Sequence, residues 1–434
     1  MKRKRLILSL ILFEILYVNA AGPTKPEYSP DLETALRAEL FNQYEVLQRP
    51  QQTVNVTVTL TILTVNDLSI KDQALSISGY LNVAWVDDRL DWSNSSTTVQ
   101  DYSNVKFLFS TEEYVWRPAL IIENSVNDIS IISDKTIPMR ITSRGVIFWN
   151  PSGIYVVSCE SDTTYYPLDS QECSIKVSSW AYTSTEVHLT LGDPPIDLSF
   201  YSANGEWDLI GSSGTKSGDK TRGSDSFSSL TFTVKLQRRP MFHILNTLFP
   251  VALMALLIAM VFKLDVESGE KIGFALTVLL AYAVYLTMIS DNIPSTSVTV
   301  CYLSLYLAFI FSLGGISVVL TIFVLSLHHK PEEDEIPRWV KSLTNTVLLK
   351  MALMKSCGKC CRNSSKVTEI KKLKLSEKCE FPIVEATEDK NGDGITWHKL
   401  SVIMDRVFFN IYLLLIIMST SMLLMVIFIH YSKA

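Results

Sequence analysis

Glu270 and Asp291 bracket an apolar stretch long enough to cross a membrane, yet one helical face of that stretch is not uniformly apolar. Beyond Lys271, the residues Gly273, Thr277, Leu280, Val284, Thr287 and Asp291 follow at spacings of four, three, four, three and four. Those spacings put all six on one stripe of an α-helix, with Glu270 at its foot. The stripe offers carboxylate oxygens at both ends, threonine hydroxyls between them and branched aliphatic side chains in its middle. Such oxygens attract cations, and a face turned to lipid gains nothing from them. Two readings stay open at this level. The stripe lines water, or it packs helix against helix and the two acids mark the ends of a span.

A stripe of this kind needs other helices to hold it. The chain has 434 residues, 47% of them hydrophobic, and the apolar excess gathers in four runs at roughly 241–262, 272–289, 300–327 and 407–430. Each is near the length that crosses hydrocarbon, so the composition excludes an ordinary soluble enzyme and predicts an integral membrane protein with four spans. Ahead of them, Lys2-Arg3-Lys4-Arg5, an apolar run from Leu6 to Val18 and Ala20-Ala21 predict a secretory signal over residues 1–20, with a fifth, anchoring helix as the alternative. Its removal takes four basic residues and Glu14, and the formal charge moves from −5 to −8. An acidic surface favours cations only weakly at physiological salt. Cys159 and Cys173 are the two cysteines of the first 240 residues, where secretion lets them pair and persist. Cys301 falls in the third run, and Cys357, Cys360, Cys361 and Cys379 cluster beyond it.

Between signal and first span, residues 31–47 carry Leu32, Ala35, Leu36, Leu40 and Tyr44 near helical spacing, which predicts a short amphipathic helix. From Thr53 the period changes to two. Val54, Val56, Val58, Leu60 and Ile62 alternate with polar residues, and comparable runs follow at 75–86, 105–109, 129–132, 139–148, 154–159, 173–180, 186–191 and 230–236. Short strands separated by turn residues predict an antiparallel sandwich. Asn55-Val-Thr57 and Asn94-Ser-Ser96 are glycosylation sequons. The polar segment at about 328–405 is basic in part, with Lys371, Lys372 and Lys374, and the positive-inside tendency places it in the cytoplasm.

The stretch Tyr166-Pro167-Leu168-Asp169-Ser170-Gln171-Glu172-Cys173, closing a loop of thirteen residues after Cys159, resembles the signature of the Cys-loop receptors, the pentameric ligand-gated ion channels. Trp85-Val-Asp87-Asp-Arg-Leu90-Asp-Trp92 is similar to that family's Trp-x-Asp-x-x-Leu-x-Trp, and Trp116-Arg-Pro118 matches its Trp-x-Pro, although Ala119 stands where an Asp is usual. Gln237-Arg238-Arg239-Pro240 resembles the junction into the first span, Pro250 that helix's proline, and Asp405-Arg406 the entry to the fourth. Nearly the whole chain is covered, with the nicotinic acetylcholine and serotonin-gated branch the most similar. The fold implied is an extracellular antiparallel β-sandwich over residues 21–239 and a four-helix transmembrane bundle. Its first three helices lie within 240–327, a cytoplasmic loop with amphipathic helices occupies 328–405, the fourth helix spans 406–431, and 432–434 form an extracellular tail. Both chain termini then lie outside a plasma membrane.

The resemblance also implies four further identical or related subunits, so each stripe residue becomes a ring of five. Glu270 then places carboxylates at the cytoplasmic mouth and Asp291 at the outer end, with Asp265 and Glu267 in the vestibule. Anion-conducting relatives carry a Pro-Ala insertion before this helix that Ser268-Gly269-Glu270-Lys271 lacks, which implies passage of monovalent cations. Leu280 and Val284 are expected to form the closed gate by dewetting, Thr277 to offer hydroxyls, and Gly273 to widen the inner end. Lys271 turns away from the lumen and pairs at the helix base.

The agonist site implied is an aromatic box between subunits that holds a small extracellular ligand, with a cationic amine as its candidate chemistry. By position Trp180 and Phe227 form one side and Tyr80 of a neighbouring subunit another, while Glu123 replaces a usual tyrosine. Glu123 either supplies a carboxylate to an ammonium ligand or faces solvent, and Trp180 has plain sandwich core as its alternative. Residues 211–226 are rich in Gly, Ser and Lys, and lack the vicinal cysteine pair and the aromatic of nicotinic capping loops. A flexible polar cap is expected there. Coupling is expected through Tyr166, Pro167, Leu168 and Asp169, the hairpin from Asp67 to Asp72, and the loop at Pro294, with Arg238 as electrostatic hub and Asp67, Asp72 or Asp169 as its partner.

Other motifs fall short of their chemistry. Asp389-Lys-Asn391-Gly-Asp393-Gly394 imitates a calcium loop but ends on Leu400 where the bidentate Glu belongs, and the cysteine cluster matches no standard zinc spacing. No metal, cofactor or nucleic-acid partner is expected, and the chain does not read as an enzyme. The competing reading from another class is a non-conducting accessory subunit or ligand-binding scaffold that needs related subunits.

Overall fold

Residues 28–93, 98, 100–291, 300–331, 336–344, 348 and 396–431 are described by the computed structural model of the chain. The signal at 1–20, Asn94, Pro294, most of the polar segment and its cysteine cluster, and the tail at 432–434 lie outside the described residues. The chain divides into two units, Met1–Asp162 with Ser170–Arg239, and Thr163–Asp169 with Pro240–Ala434.

In the first unit Ser29 accepts a hydrogen bond from the Leu32 amide, and with Pro30 at the first position it starts helix α1 (Pro30–Leu40). The helix stops seven residues short of the expected 47, because Tyr44 is committed elsewhere: its hydroxyl donates to Asp87 at 2.7 Å. The period-two pattern becomes the long strands β1 (Val54–Ser69) and β2 (Ala74–Asp91), followed by β3 (Phe107–Ser110), β4 (Leu120–Ile122), β5 (Met139–Thr142), β6 (Arg144–Trp149), β7 (Ser152–Ser158), β8 (Ser170–Ser179), β9 (Val187–Asp197), β10 (Trp207–Arg222) and β11 (Asp225–Arg238). Among the described residues these form a sheet in the order β3-β5-β6-β2-β1-β9, with β7 also on β2, and a second in the order β10-β11-β8-β4. Val54, Val56, Val58, Leu60 and Ile62 are all buried, as their alternation predicts, and they share one apolar core with Trp85, Trp116, Trp149 and Trp207.

Three details depart from the pattern. The β1–β9 pair is parallel. The run at 129–132 makes no named strand, only a bridge from Ile131 to Ile121; Ile132 packs against the core, while Ile129 and Ile131 stay exposed. The Gly, Ser and Lys-rich segment after Trp207 is β10, paired with β11 from Trp207↔Arg238 to Arg222↔Asp225. It lies at the edge of its sheet and is largely exposed on both faces, so backbone pairing alone makes it a strand and no apolar alternation announces it.

The second unit holds four helices long and apolar enough to cross a membrane among the described residues: α2 (Met241–Lys263), α3 (Lys271–Ser290), α4 (Tyr302–His328) and α6, whose apolar part is Trp397–Ile429. A short α5 (Arg338–Leu343) precedes α6, which runs Trp397–Tyr431. It starts well ahead of the expected 406, because Trp397 and Leu400 are buried with Ile336 and packed against Val340. Pro250 has no N–H to give the carbonyl of Asn246, and α2 loosens into a π-helical turn over Ile244–Leu248. The Tyr285 hydroxyl from α3 donates to Asn246 O at 2.6 Å and to Thr247 O at 3.2 Å, supplying the donor that proline removed. At Gly314 on α4 an added Cβ would meet Leu279 at 3.0 Å and Ile258 at 3.3 Å, so its lack of a side chain lets three helices converge.

Gly79 of β2 faces Ile62 beside a register shift, and a Cβ there would sit 2.3 Å from the backbone oxygen of Thr61. The main chain cannot yield as a flexible side chain would. Gly79→Ala is therefore expected to abolish folding of the first unit, read as loss of monodisperse detergent-extracted protein; a wild-type yield would contradict the close approach.

Candidate pore face and ligand pocket

Lys271, at the start of α3, sends its Nζ to Asp405 Oδ2 of α6 at 2.7 Å, with the lysine only 2% exposed. Tyr282 Oη donates to Leu307 O of α4 at 3.0 Å, and Tyr285 holds α2 as described. These three polar anchors lie on one side of α3, together with buried Ala275, Val278 and Ile289. At about 100° per residue the stripe lies about half a turn away. Gly273, Thr277, Leu280, Val284, Thr287 and Asp291 are all exposed, as is Glu270, and Leu280 is 66% accessible. Thr277 Oγ1 donates to Phe274 O at 2.8 Å and Thr287 Oγ1 to Val284 O at 2.7 Å. With their protons spent on the helix backbone, both hydroxyls turn outward as acceptors.

In the first unit, Trp180 follows β8 and is 46% exposed, so it is not sandwich core. Phe227 lies on β11 directly opposite Lys220 of β10, and Arg222 lies opposite Asp225. The Arg222 guanidinium carbon sits 4.1 Å from the Trp180 ring centroid and 4.6 Å from that of Phe227. Glu123 neither faces solvent nor stands free: it is largely buried and forms an ion pair with Lys220 Nζ. Tyr80 lies on β2, in the other sheet, with Thr61 and Ser152 as strand neighbours. The structure thus brings Trp180, Phe227 and Glu123 together through two cations of β10, and leaves Tyr80 apart within one chain.

Behind this face stands a buried polar cluster. Asp87 is wholly buried, accepts from Tyr44 and pairs with Arg89 at 2.8 Å; the Tyr44 hydroxyl also accepts from the Trp116 amide at 3.0 Å. Burial and the neighbouring Asp87 carboxylate push the Tyr44 phenol up, so it stays a donor to that charge. Trp116 meets Trp85 edge-on at 6.1 Å and donates to Tyr182.

Cys159 and Cys173 are disulfide-bonded. In the second unit, Tyr166 Oη lies 3.1 Å from His243 Nδ1, Leu168 packs on the helical core, and the Tyr165 ring meets that of Tyr302 at a tilt, with centroids 5.6 Å apart; Pro167 and Asp169 belong to the same segment. In the first unit, Asp67 and Asp72 are exposed at the β1–β2 hairpin, where Asp72 bonds to Ser69. Arg238 pairs with Glu206 at 2.6 Å and lies over Trp207, a partner its sequence neighbours do not suggest. Asn55 is exposed on β1.

Sequence reasoning missed Arg222, Lys220, Asp405 and Tyr285 as participants. Lys220 and Arg222 alternate along a strand and so share a face, which is the one signal that was available. The other two act across helices far apart in the chain and leave no local trace.

Comparison with known families finds that the neurotransmitter-gated ion-channel ligand binding domain matches residues 33–240 and the neurotransmitter-gated ion-channel transmembrane region residues 247–399. The chain is similar to acetylcholine receptor subunit delta of Xenopus laevis, 34% identical over 64% of this chain and 56% of that protein. It is also similar to neuronal acetylcholine receptor subunit alpha-2 of Gallus gallus, 30% identical over 78% of this chain and 64% of the relative. Likeness to neuronal acetylcholine receptor subunit alpha-6 of Homo sapiens is 30% over 74% and 65% respectively. The chain thus spans 56 to 65% of the length of these relatives.

Breaking a buried ion pair from one side leaves a bare charge, at a cost of about 3–5 kcal/mol. Lys271→Met is therefore expected to lower the melting temperature of the purified full-length protein sharply. Replacing Asp405 by Leu as well should recover most of that loss; a single variant as stable as wild type would contradict the anchoring role.

Proposed function

The chain belongs to the neurotransmitter-gated ion-channel family, whose members are channels and not enzymes, and on that premise we propose that it is a subunit of a pentameric cation channel opened by a small extracellular ligand. The observation that carries the reading is the exposed stripe of α3. Five copies around an axis would turn it into stacked rings, with Glu270 carboxylates at the inner mouth and Asp291 carboxylates at the outer. The outward acceptor oxygens of Thr277 and Thr287 suit a partly dehydrated cation and offer an anion nothing. Leu280 and Val284 are the largest apolar groups of the stripe, and rings of them would exclude water when close together. Gly273 leaves the inner end wide.

The pocket of Trp180, Phe227 and Glu123 is the proposed ligand side of the subunit, completed by Tyr80 of a neighbour. Ligand closure there would be passed on through Tyr166, Pro167, Leu168 and Asp169, the Asp67 to Asp72 hairpin, Arg238 and the loop at Pro294. This topology puts the sandwich with sequon residues Asn55 and Asn94, and both termini, outside the plasma membrane.

Expression of the chain alone, with currents recorded while amines, amino acids, protons and amphiphiles are applied, tests the channel; surface pentamers that conduct under no stimulus would point to an accessory subunit instead. Cation selectivity has a separate test. A carboxylate is worth about 1 kcal/mol to a unit charge 4 Å away even at bulk dielectric, so Glu270→Gln is expected to lower the cation-to-anion permeability ratio about fivefold or more. Reversal-potential shifts on ion substitution that are the same in that variant as in wild type would refute the ring assignment.

A further inference from the structure

Both features that a cationic ligand would use in this pocket are already engaged by cations of the same chain. Arg222 lies over Trp180 and Phe227 at 4.1 and 4.6 Å, and its Nη1 also donates to Trp180 O at 3.4 Å. Lys220, two residues earlier on the same strand face, neutralises Glu123. Among the described residues no carboxylate lies within ion-pairing distance of Arg222, although Asp225 is its strand partner. Asp225 is held instead by the hydroxyl of its neighbour Ser224. What holds the Arg222 charge in place is therefore the two π faces, with the Trp180 carbonyl beside them.

We propose that Arg222 is a tethered cation that fills the aromatic part of the ligand pocket, so that an ammonium ligand binds only by displacing it. This rests on the reading of Trp180 and Phe227 as ligand residues and deepens it. The exchange is nearly neutral for a bare ammonium, which gains at the two rings only what Arg222 gives up, and the tether keeps the competing group at high local concentration. Lys220 imposes the same exchange at Glu123. The pocket thereby rejects ligands that offer a positive charge alone and selects those that add a ring or hydrogen-bonding groups. β10 makes the displacement accessible: it is an exposed edge strand whose end at Arg222 turns back through Gly223.

The test is direct binding of tetramethylammonium to the purified full-length protein, followed by intrinsic fluorescence against matched sodium chloride. Two cation–π contacts at an exposed site predict roughly 5- to 30-fold tighter binding in Arg222→Gln and in Arg222→Ser than in wild type. Arg222→Lys should stay near wild type, and adding Trp180→Leu to Arg222→Gln should erase the gain. Equal affinity in wild type and both neutral variants, or no binding in any of them, overturns the inference. Because binding is read without current, a silent channel counts against the proposed function and leaves this comparison standing. A channel opened by some other ligand, with no ammonium binding in Arg222→Gln, sinks the tethered cation alone.

Discussion

The rotation of α3 depends on one buried ion pair and two tyrosine hydroxyls. Lys271 reaches Asp405, Tyr282 reaches the Leu307 carbonyl and Tyr285 reaches Asn246, so one side of the helix is tied to α6, α4 and α2 in turn. In surroundings without water each of these groups would cost several kcal/mol if left unpaired, which makes the rotation hard to change. The exposed stripe follows from it. Apolar packing alone would set α3 far less well, because the helix is apolar nearly all round.

The same logic governs the first unit on a smaller scale. Asp87 can be wholly buried because Tyr44 and Arg89 satisfy it, and drawing Tyr44 inward is what ends α1 at Leu40. The tryptophans Trp85, Trp116, Trp149 and Trp207 pack into the core, whereas Trp180 stands at the surface. β10 then extends past the core as an edge strand and carries Lys220 and Arg222 to Glu123, Trp180 and Phe227. A single strand thus sets the charge beside Glu123, Trp180 and Phe227.

Much of the architecture was legible in the residues themselves. Alternation in β1 and the apolar runs of α2, α3 and α4 are local and repeat along the element, so period and length suffice. β10 was hidden because an exposed edge strand needs no apolar face, and the early start of α6 because Trp397 and Leu400 answer to partners near Ile336. Glu123 was visible as an acid in an aromatic setting, but its partner lies 97 residues away. Spacing cannot report a pair of that kind.

What the residues determined alone is the stripe of α3, since helical geometry makes Gly273, Thr277, Leu280, Val284, Thr287 and Asp291 neighbours in any helix. Which way that stripe faces was decided by the tertiary structure, because the direction depends on where Asp405, Leu307 and Asn246 stand. The cluster of Trp180, Phe227 and Arg222 divides in the same way. Its aromatic residues follow from their positions in the chain, whereas their occupation by Arg222 arises only when β10 pairs with β11, since cation–π attraction acts over a few ångströms of space and not along the sequence.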